Sequence, residues 1–167
     1  MANSAVTDAA FAPDGTWFTV AGSHYVNVCT WNPQGLERHA TLIGYDYTVT
    51  AVAASPDSAV FAAAVSDGTV RLYIPSQNER SRPVILESDR TKVTGVAFAP
   101  DGSVLAAVSD DGALRLWHVR TRQPAAVLRT GDRLRGCSWS PAGDLLAAVG
   151  SKGLYLFGVH APPGAPP

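Results

Sequence analysis

VTGVAFAPDGSVLAAVSDDGALRLWHV, residues Val93 to Val119, holds three short apolar runs separated by two turn signals. Val93 to Ala99 is rich in β-branched and small apolar residues and predicts a first strand. Pro100-Asp101-Gly102 predicts a turn, because proline presets φ and glycine accepts the positive φ of a tight turn. Val104 to Val108 predicts a second strand. Asp110-Asp111-Gly112 predicts the next turn, since an Asp-Gly step between apolar runs is a strong hairpin signal. Ala113 to Val119 predicts a third strand. At a side-chain period of two, Leu114 and Leu116 face one way with His118 in phase, while Arg115, Trp117 and Val119 face the other.

The same text recurs along the chain. Pro13, Pro56, Pro100 and Pro141 stand 43, 44 and 41 residues apart. Around them run FAPDG (Phe11 to Gly15), ASPDS (Ala54 to Ser58), FAPDG (Phe98 to Gly102) and WSPAG (Trp139 to Gly143). Downstream come SDGTVRLYI from Ser66, DDGALRLWHV from Asp110 and SKGLYLFGV from Ser151, with a degenerate SHYVNVCTW from Ser23. Four units of about 40–45 residues, each a run of short strands, mark a repeat architecture.

These residues carry a resemblance. F-x-P-D-G, a strand of small residues and then S-D-G-x-apolar-R-L-W resemble the WD-repeat β-propeller family, up to about Val159. The resemblance implies an all-β fold of four blades, each a sheet of about four antiparallel strands. Two features depart from the family pattern. The strand-ending dipeptides are Trp117-His118, Tyr73-Ile74 and Phe157-Gly158, never Trp-Asp. Gly44-Tyr45 and Gly131-Asp132 stand where a Gly-His is usual. The family's His–Ser–Asp–Trp network is therefore incomplete here, and the blades are expected to be held mainly by apolar packing between sheets.

The expected boundaries are a propeller domain over 1–159, with blades near 4–46, 47–90, 91–132 and 133–159, and a tail over 160–167. The tail reads HAPPGAPP and cannot donate enough hydrogen bonds to be a strand. The polar stretch Pro75 to Arg82 reads as a loop before an outer strand at Val84 to Glu87. Counting along the chain gives fifteen strands, with the fourth blade lacking its outer one. Four such blades look like half a ring, and open end sheets would expose apolar faces that soluble monomers rarely carry. Two copies could join into an eight-bladed ring with twofold symmetry, another chain could supply the missing blades, or the four could close alone. The first is the expectation, which makes the chain a homodimer.

Composition narrows the function classes. Among 167 residues, 13 Lys and Arg stand against 14 Asp and Glu, so no global charge favours nucleic acid or an anionic membrane. No apolar run reaches the ~18 residues of a membrane-spanning helix. MANSAVTDAAFAP lacks a basic region followed by an apolar core, so no signal peptide is expected. Cys29 and Cys137 sit in different repeats without a CxxC pair and read as reduced thiols of a cytoplasmic protein.

Catalytic signals are missing. His24, His39, His118 and His160 lack ligand spacing, and no H-E-x-x-H, G-x-S-x-G or phosphate-loop pattern occurs. No catalytic residue, metal or cofactor is assigned, and the protein is not expected to be an enzyme. Ser66-Asp67-Gly68 and Ser109-Asp110-Asp111-Gly112 read as hairpin turns whose Asp side chains bond nearby amides. Arg115, Arg120, Arg122, Arg129, Arg133 and Arg135 form a basic run opposed by Asp132. They read as outward strand residues (Arg115 and Arg129) and loop charges kept in water, rather than as a phosphate-binding sector.

The resemblance implies a partner surface at the narrow end of the ring, where the chain leads into each inner strand. Carried over by position, it comprises Asn3, Tyr45, Asp46, Tyr47, Thr48, Arg90, Lys92 and Arg133. Tyrosine and arginine are enriched at binding hot spots. The implied function is a non-catalytic scaffold that presents loops to a protein partner. An alternative is a sensor module of a larger bacterial signalling or defence system. A third, a hydrolytic or ligand-binding propeller, is disfavoured because the inner strands carry mainly Val, Ala, Thr and Gly, with Asp8 their only acid.

Overall fold

The computed structural model describes residues 5–43, 46–75, 83–87 and 90–159. Fifteen strands lie among them, in four antiparallel sheets. Sheet one is β1 (Val6–Phe11), β2 (Phe18–Gly22), β3 (Tyr25–Asn32) and β4 (Gly35–Ile43). Sheet two is β5 (Val49–Ala54), β6 (Phe61–Val65), β7 (Thr69–Tyr73) and β8 (Val84–Glu87). Sheet three is β9 (Val93–Phe98), β10 (Val104–Ser109), β11 (Ala113–His118) and β12 (Pro124–Arg129). Sheet four has three strands, β13 (Leu134–Trp139), β14 (Leu145–Gly150) and β15 (Leu154–Gly158). Each strand pairs with its sequence neighbour, which is the meander of a propeller blade. The proline-rich tail and most of the Pro75 to Arg82 stretch lie outside the described residues.

The repeated prolines open one recurring turn. The carbonyls of Ala12, Ser55, Ala99 and Ser140 accept the amides of Gly15, Ser58, Gly102 and Gly143 at 2.9, 2.9, 2.9 and 3.0 Å. The last residue of each turn has positive φ, Ser58 included at 59°. The second turn is tighter in its demands. At Gly112, with φ 79°, an added Cβ would stand 2.5 Å from the Asp132 carbonyl oxygen. At Gly68 it would stand 2.5 Å from the Arg90 Cα. The segment leading into the next blade thus passes directly over each turn, and only glycine leaves room for it.

The core lies between sheets. Trp17, Ala21, Val26 and Val28 of sheet one pack on Val49, Val52, Phe61 and Tyr73 of sheet two. Ala62, Ala64, Val70 and Leu72 of sheet two pack on Val93, Val96, Phe98, Leu105 and Trp117 of sheet three. Ala106, Val108, Leu114 and Leu116 of sheet three pack on Leu134, Leu146, Trp139 and Phe157 of sheet four. Leu114 and Trp117 thus serve opposite seams, as the strand period requires. The blades form an arc: one packs on two, two on three, three on four. Among the described residues, no strand of sheet one packs substantially on sheet four.

Polar contacts within the blades are richer than apolar packing alone predicts. Ser109 Oγ donates to Asp111 at 2.6 Å, and Arg115 donates to Ser109 at 2.9 Å and to Asp111 at 3.4 Å. Arg129 reaches the same carboxylate at 3.2 Å. Arg115 is only 5% exposed, which corrects its reading as an outward residue. In sheet two Arg71 bridges to Asp67 at 2.8 Å. In sheet four Asp132 accepts from the Ser151 hydroxyl, from the Lys152 amide at 2.8 Å and from Tyr155 Oη at 3.2 Å. Different residues therefore rebuild the missing network. The Asp turns behave as expected, with Asp67 and Asp111 accepting the amides of Thr69 and Ala113 at 2.9 and 3.1 Å.

Candidate functional site

The four inner strands begin alike: Val6-Thr7, Val49-Thr50, Val93-Thr94 and Leu134-Arg135. The first residue of each later pair is fully or almost fully buried between blades. The second faces the hollow inside the arc. Thr7 Oγ1 donates to the Val49 carbonyl at 2.6 Å, Thr50 to that of Val93 at 2.5 Å, and Thr94 to that of Leu134 at 2.8 Å. One hydroxyl per blade thus tethers the next inner strand. Arg135 occupies the corresponding place in the fourth.

Thr7, Thr48, Thr50, Lys92, Thr94, Asp110 and Arg135 line an open bay of about 430 Å³. Thr48 and Lys92 lead into β5 and β9, and their backbones are fixed by the neighbouring turns. The Thr48 amide donates to Ser66 Oγ at 3.0 Å, and the Asp110 amide to the Lys92 carbonyl at 3.0 Å. The bay carries two cations and one carboxylate.

Of the eight residues expected at the partner surface, Thr48 and Lys92 line this bay. Asp46, Tyr47, Arg90 and Arg133 are exposed at the end of the arc where the inner strands start, outside the bay lining. Asn3 and Tyr45 lie outside the described residues. Arg90 has φ 55°, the backbone form that carries it over Gly68. Thr7, Thr50, Thr94, Asp110 and Arg135 were not singled out as site residues from the sequence. The signal was available, since three Val-Thr steps and one Leu-Arg step follow the lead-in residues in register. Arg135 lies in inner strand β13, which corrects its reading as a loop charge.

Asp8 is accounted for by the fold. Its Oδ2 accepts the Val52 amide of the next blade at 2.8 Å and its Oδ1 accepts the Ala9 amide at 2.9 Å. Burial would raise the Asp111 carboxyl, but hydrogen bonds from Ser109 and the Ala113 amide and the Arg115 charge outweigh it, holding the pKa at about 2. Hydrogen bonding from Ser151 in first place lowers that of Asp132. Burial pushes the Cys137 thiol up to about 12, which makes it inert at neutral pH. Neither Cys29 nor Cys137 forms a disulfide among the described residues. Among the described residues, no group of three His, Cys, Asp or Glu side chains could hold a metal ion.

Comparison with known proteins places this geometry. No curated protein sequence matches the chain. Solved structures match it in 1471 chains, so the fold is widely shared. Among them is the crystal structure of the computationally designed Ika4 protein, with a TM-score of 0.79 and 16% identity, over 96% of this chain and 94% of that one. That likeness concerns the fold alone. The profile of the WD domain, G-beta repeat family matches residues 2–29, 36–73 and 83–118. Its three matches fall in the first three blades; the fourth follows from the strand pattern. Proteins with such repeats commonly mediate protein–protein interactions. The chain belongs to the WD domain, G-beta repeat family.

Proposed function

We propose that the protein is a non-catalytic interaction scaffold, that two copies close into an eight-bladed ring, and that the ring presents its lead-in segments to a protein partner. The observation behind this reading is the state of the two end faces. Val6, Phe11 and Trp31 on blade one are 62, 69 and 73% exposed, and Val149, Leu154 and Leu156 on blade four are 48, 62 and 63% exposed. Their counterparts inside the arc are covered. Val49, Val93 and Leu134 match Val6, and Val26, Val70 and Leu114 match Leu154; all six are 0 or 1% exposed. Blade one therefore displays the face that every later blade presses onto its predecessor. Blade four displays the face that every earlier blade offers to its successor. The occupant that fits both is a second copy of the chain, joined blade four to blade one.

The turns tell the same story. An added Cβ at Gly102 would meet Pro56 at 3.6 Å, and one at Gly143 would meet Pro100 at 3.5 Å, so each turn rests on the preceding blade. At Gly15 nothing lies within 4 Å, and Pro141 is exposed at the other end. Covering a large apolar side chain contributes on the order of 1–3 kcal/mol. Two seams with several such side chains each are of a scale to offset the roughly 4–15 kcal/mol lost on association. Two cysteines outside any disulfide fit a reducing, cytoplasmic location.

Size exclusion with light scattering tests the assembly. The expected mass is twice the 17.5 kDa chain, unchanged on dilution. A mass of one chain at all concentrations overturns the ring. For the partner surface, substitution of Tyr47, Arg90 and Arg133 is expected to abolish capture of a partner isolated with the wild-type ring, leaving the mass unchanged. Undiminished capture by that variant removes the surface from the proposal.

A further inference from the structure

The inner wall of the arc breaks its own rule once. Three blades place threonine after the buried apolar residue of the inner strand, and its hydroxyl bonds the next strand's carbonyl. The fourth places Arg135 there, and Lys92 stands at the lead-in of the blade before it. Both cations line the same bay of about 430 Å³, with Asp110 the carboxylate among its lining residues. Among the described residues, neither Lys92 nor Arg135 is in an ion pair. The fold gives no reason for this pair, because threonine performs the tether in the other blades and Thr48 occupies the Lys92 position in blade two. Two like charges in one concave site repel each other, and that repulsion is relieved by a bound anion.

We infer that this bay is a binding site for a small phosphate-bearing molecule. Arg135 offers the planar fork that pairs with two phosphate oxygens, and Lys92 offers a mobile point charge. The hydroxyls of Thr48 and Thr50 lie on the wall beside them; that of Thr50, whose proton goes to the Val93 carbonyl, is left to accept from the ligand. The volume suits a ligand of sugar-phosphate or nucleotide size. Asp110, on the same wall, can accept from a hydroxyl of the ligand. Every residue of the bay comes from one chain, so the site does not rest on ring closure.

Isothermal titration with inorganic pyrophosphate, in about 50 mM salt to limit screening, tests the site. The protein is expected to bind with a Kd below about 1 mM. Arg135→Thr and Lys92→Thr are expected to weaken binding at least about tenfold each. Arg135→Thr installs the residue that the other three inner strands carry, and Lys92→Thr the residue that blade two carries, so folding is expected to be preserved. The hydroxyl that Arg135→Thr adds is the group that tethers the next inner strand in the other blades, so the solution mass is expected to stay that of the wild type. Arg120→Ala, an exposed cation in the turn after β11, is expected to change nothing. Absence of binding by the wild type overturns the site, and so does wild-type affinity in Arg135→Thr. Equal loss in Arg120→Ala overturns it too, by showing diffuse charge attraction. Tight binding of an acidic peptide without binding of pyrophosphate assigns the bay to a protein partner instead and likewise overturns it. Light scattering on the same samples reads the ring separately, so either idea can fail alone.

Discussion

Asp111 shows how one residue replaces a family network. It sits in the turn between β10 and β11, accepts from Ser109 and the Ala113 amide, and ion-pairs with Arg115, which is buried, and Arg129, which is not. Asp111→Ala leaves the buried Arg115 guanidinium bonded to Ser109 but without its carboxylate, and is expected to cost about 2 kcal/mol in urea denaturation. The pH dependence has a definite sign. The folded pKa, about 2, lies below the ordinary 3.8, so the contribution is complete above about pH 4 and is lost as pH falls through about 2. A stability profile from pH 5 to pH 2 should therefore fall more steeply in the wild type than in Asp111→Ala. Equal slopes would show that Asp111 is not held ionised by this network. Thr19 is the opposite case. It is fully buried, and its Oγ1 has no hydrogen-bond partner among the described residues, where the matching residues of blades two and three, Ala62 and Ala106, are apolar. Thr19→Val keeps the shape and removes the unpaired hydroxyl, and a gain of about 1 kcal/mol is expected in the same assay.

Strands and turns were the most legible elements, and the turns show where legibility ends. Both glycines of the Pro-x-Gly and Asp-Gly turns have positive φ, so the sequence reads them alike. Their surroundings differ: Gly15 has open space, while a Cβ on Gly112 would collide with the Asp132 backbone. Gly15→Ala is expected to cost about 1 kcal/mol, the strain of a left-handed alanine. Gly112→Ala adds the collision and is expected to cost about 3 kcal/mol, read from the shift in urea midpoint. Similar losses at both sites would show that the lead-in to blade four does not press on that turn. The edges of β8, β9, β10 and β11 lie within one residue of the spans read as Val84 to Glu87, Val93 to Ala99, Val104 to Val108 and Ala113 to Val119, because proline, glycine and alternation are local signals. Arg115, Arg135 and Asp8 were misread or left open for the converse reason. Asp8 bonds Val52 on the next blade, and Arg115 is buried although Ser109 and Asp111 lie in its own hairpin; no local pattern encodes that reach or that burial. The bay was half legible: its lead-in residues stood out by position, while its strand residues were hidden in a repeat whose one exception, Leu134-Arg135, looked like part of a basic run.

For the whole molecule, the proposed ring has two seams, each joining blade four of one copy to blade one of the other. This head-to-tail arrangement makes a prediction that a face-to-face dimer does not. Phe11→Lys charges the blade-one face, and Leu156→Glu charges the blade-four face. Each variant alone carries a charged, desolvated group at both seams, and each is expected to run at the mass of one chain with its strand content intact. A mixture of the two can form a ring in which one seam joins the untouched blade four of the Lys variant to the untouched blade one of the Glu variant. The other seam places Lys against Glu. An equimolar mixture is therefore expected to recover the two-chain mass that neither component shows. In a dimer that pairs blade one with blade one, or blade four with blade four, one of the parent variants would keep its interface and run at the two-chain mass by itself. Recovery on mixing, with both parents single, is the outcome that only complementary end faces produce. Two single-chain parents that stay single when mixed would sink the ring and leave the exposed faces to a different chain.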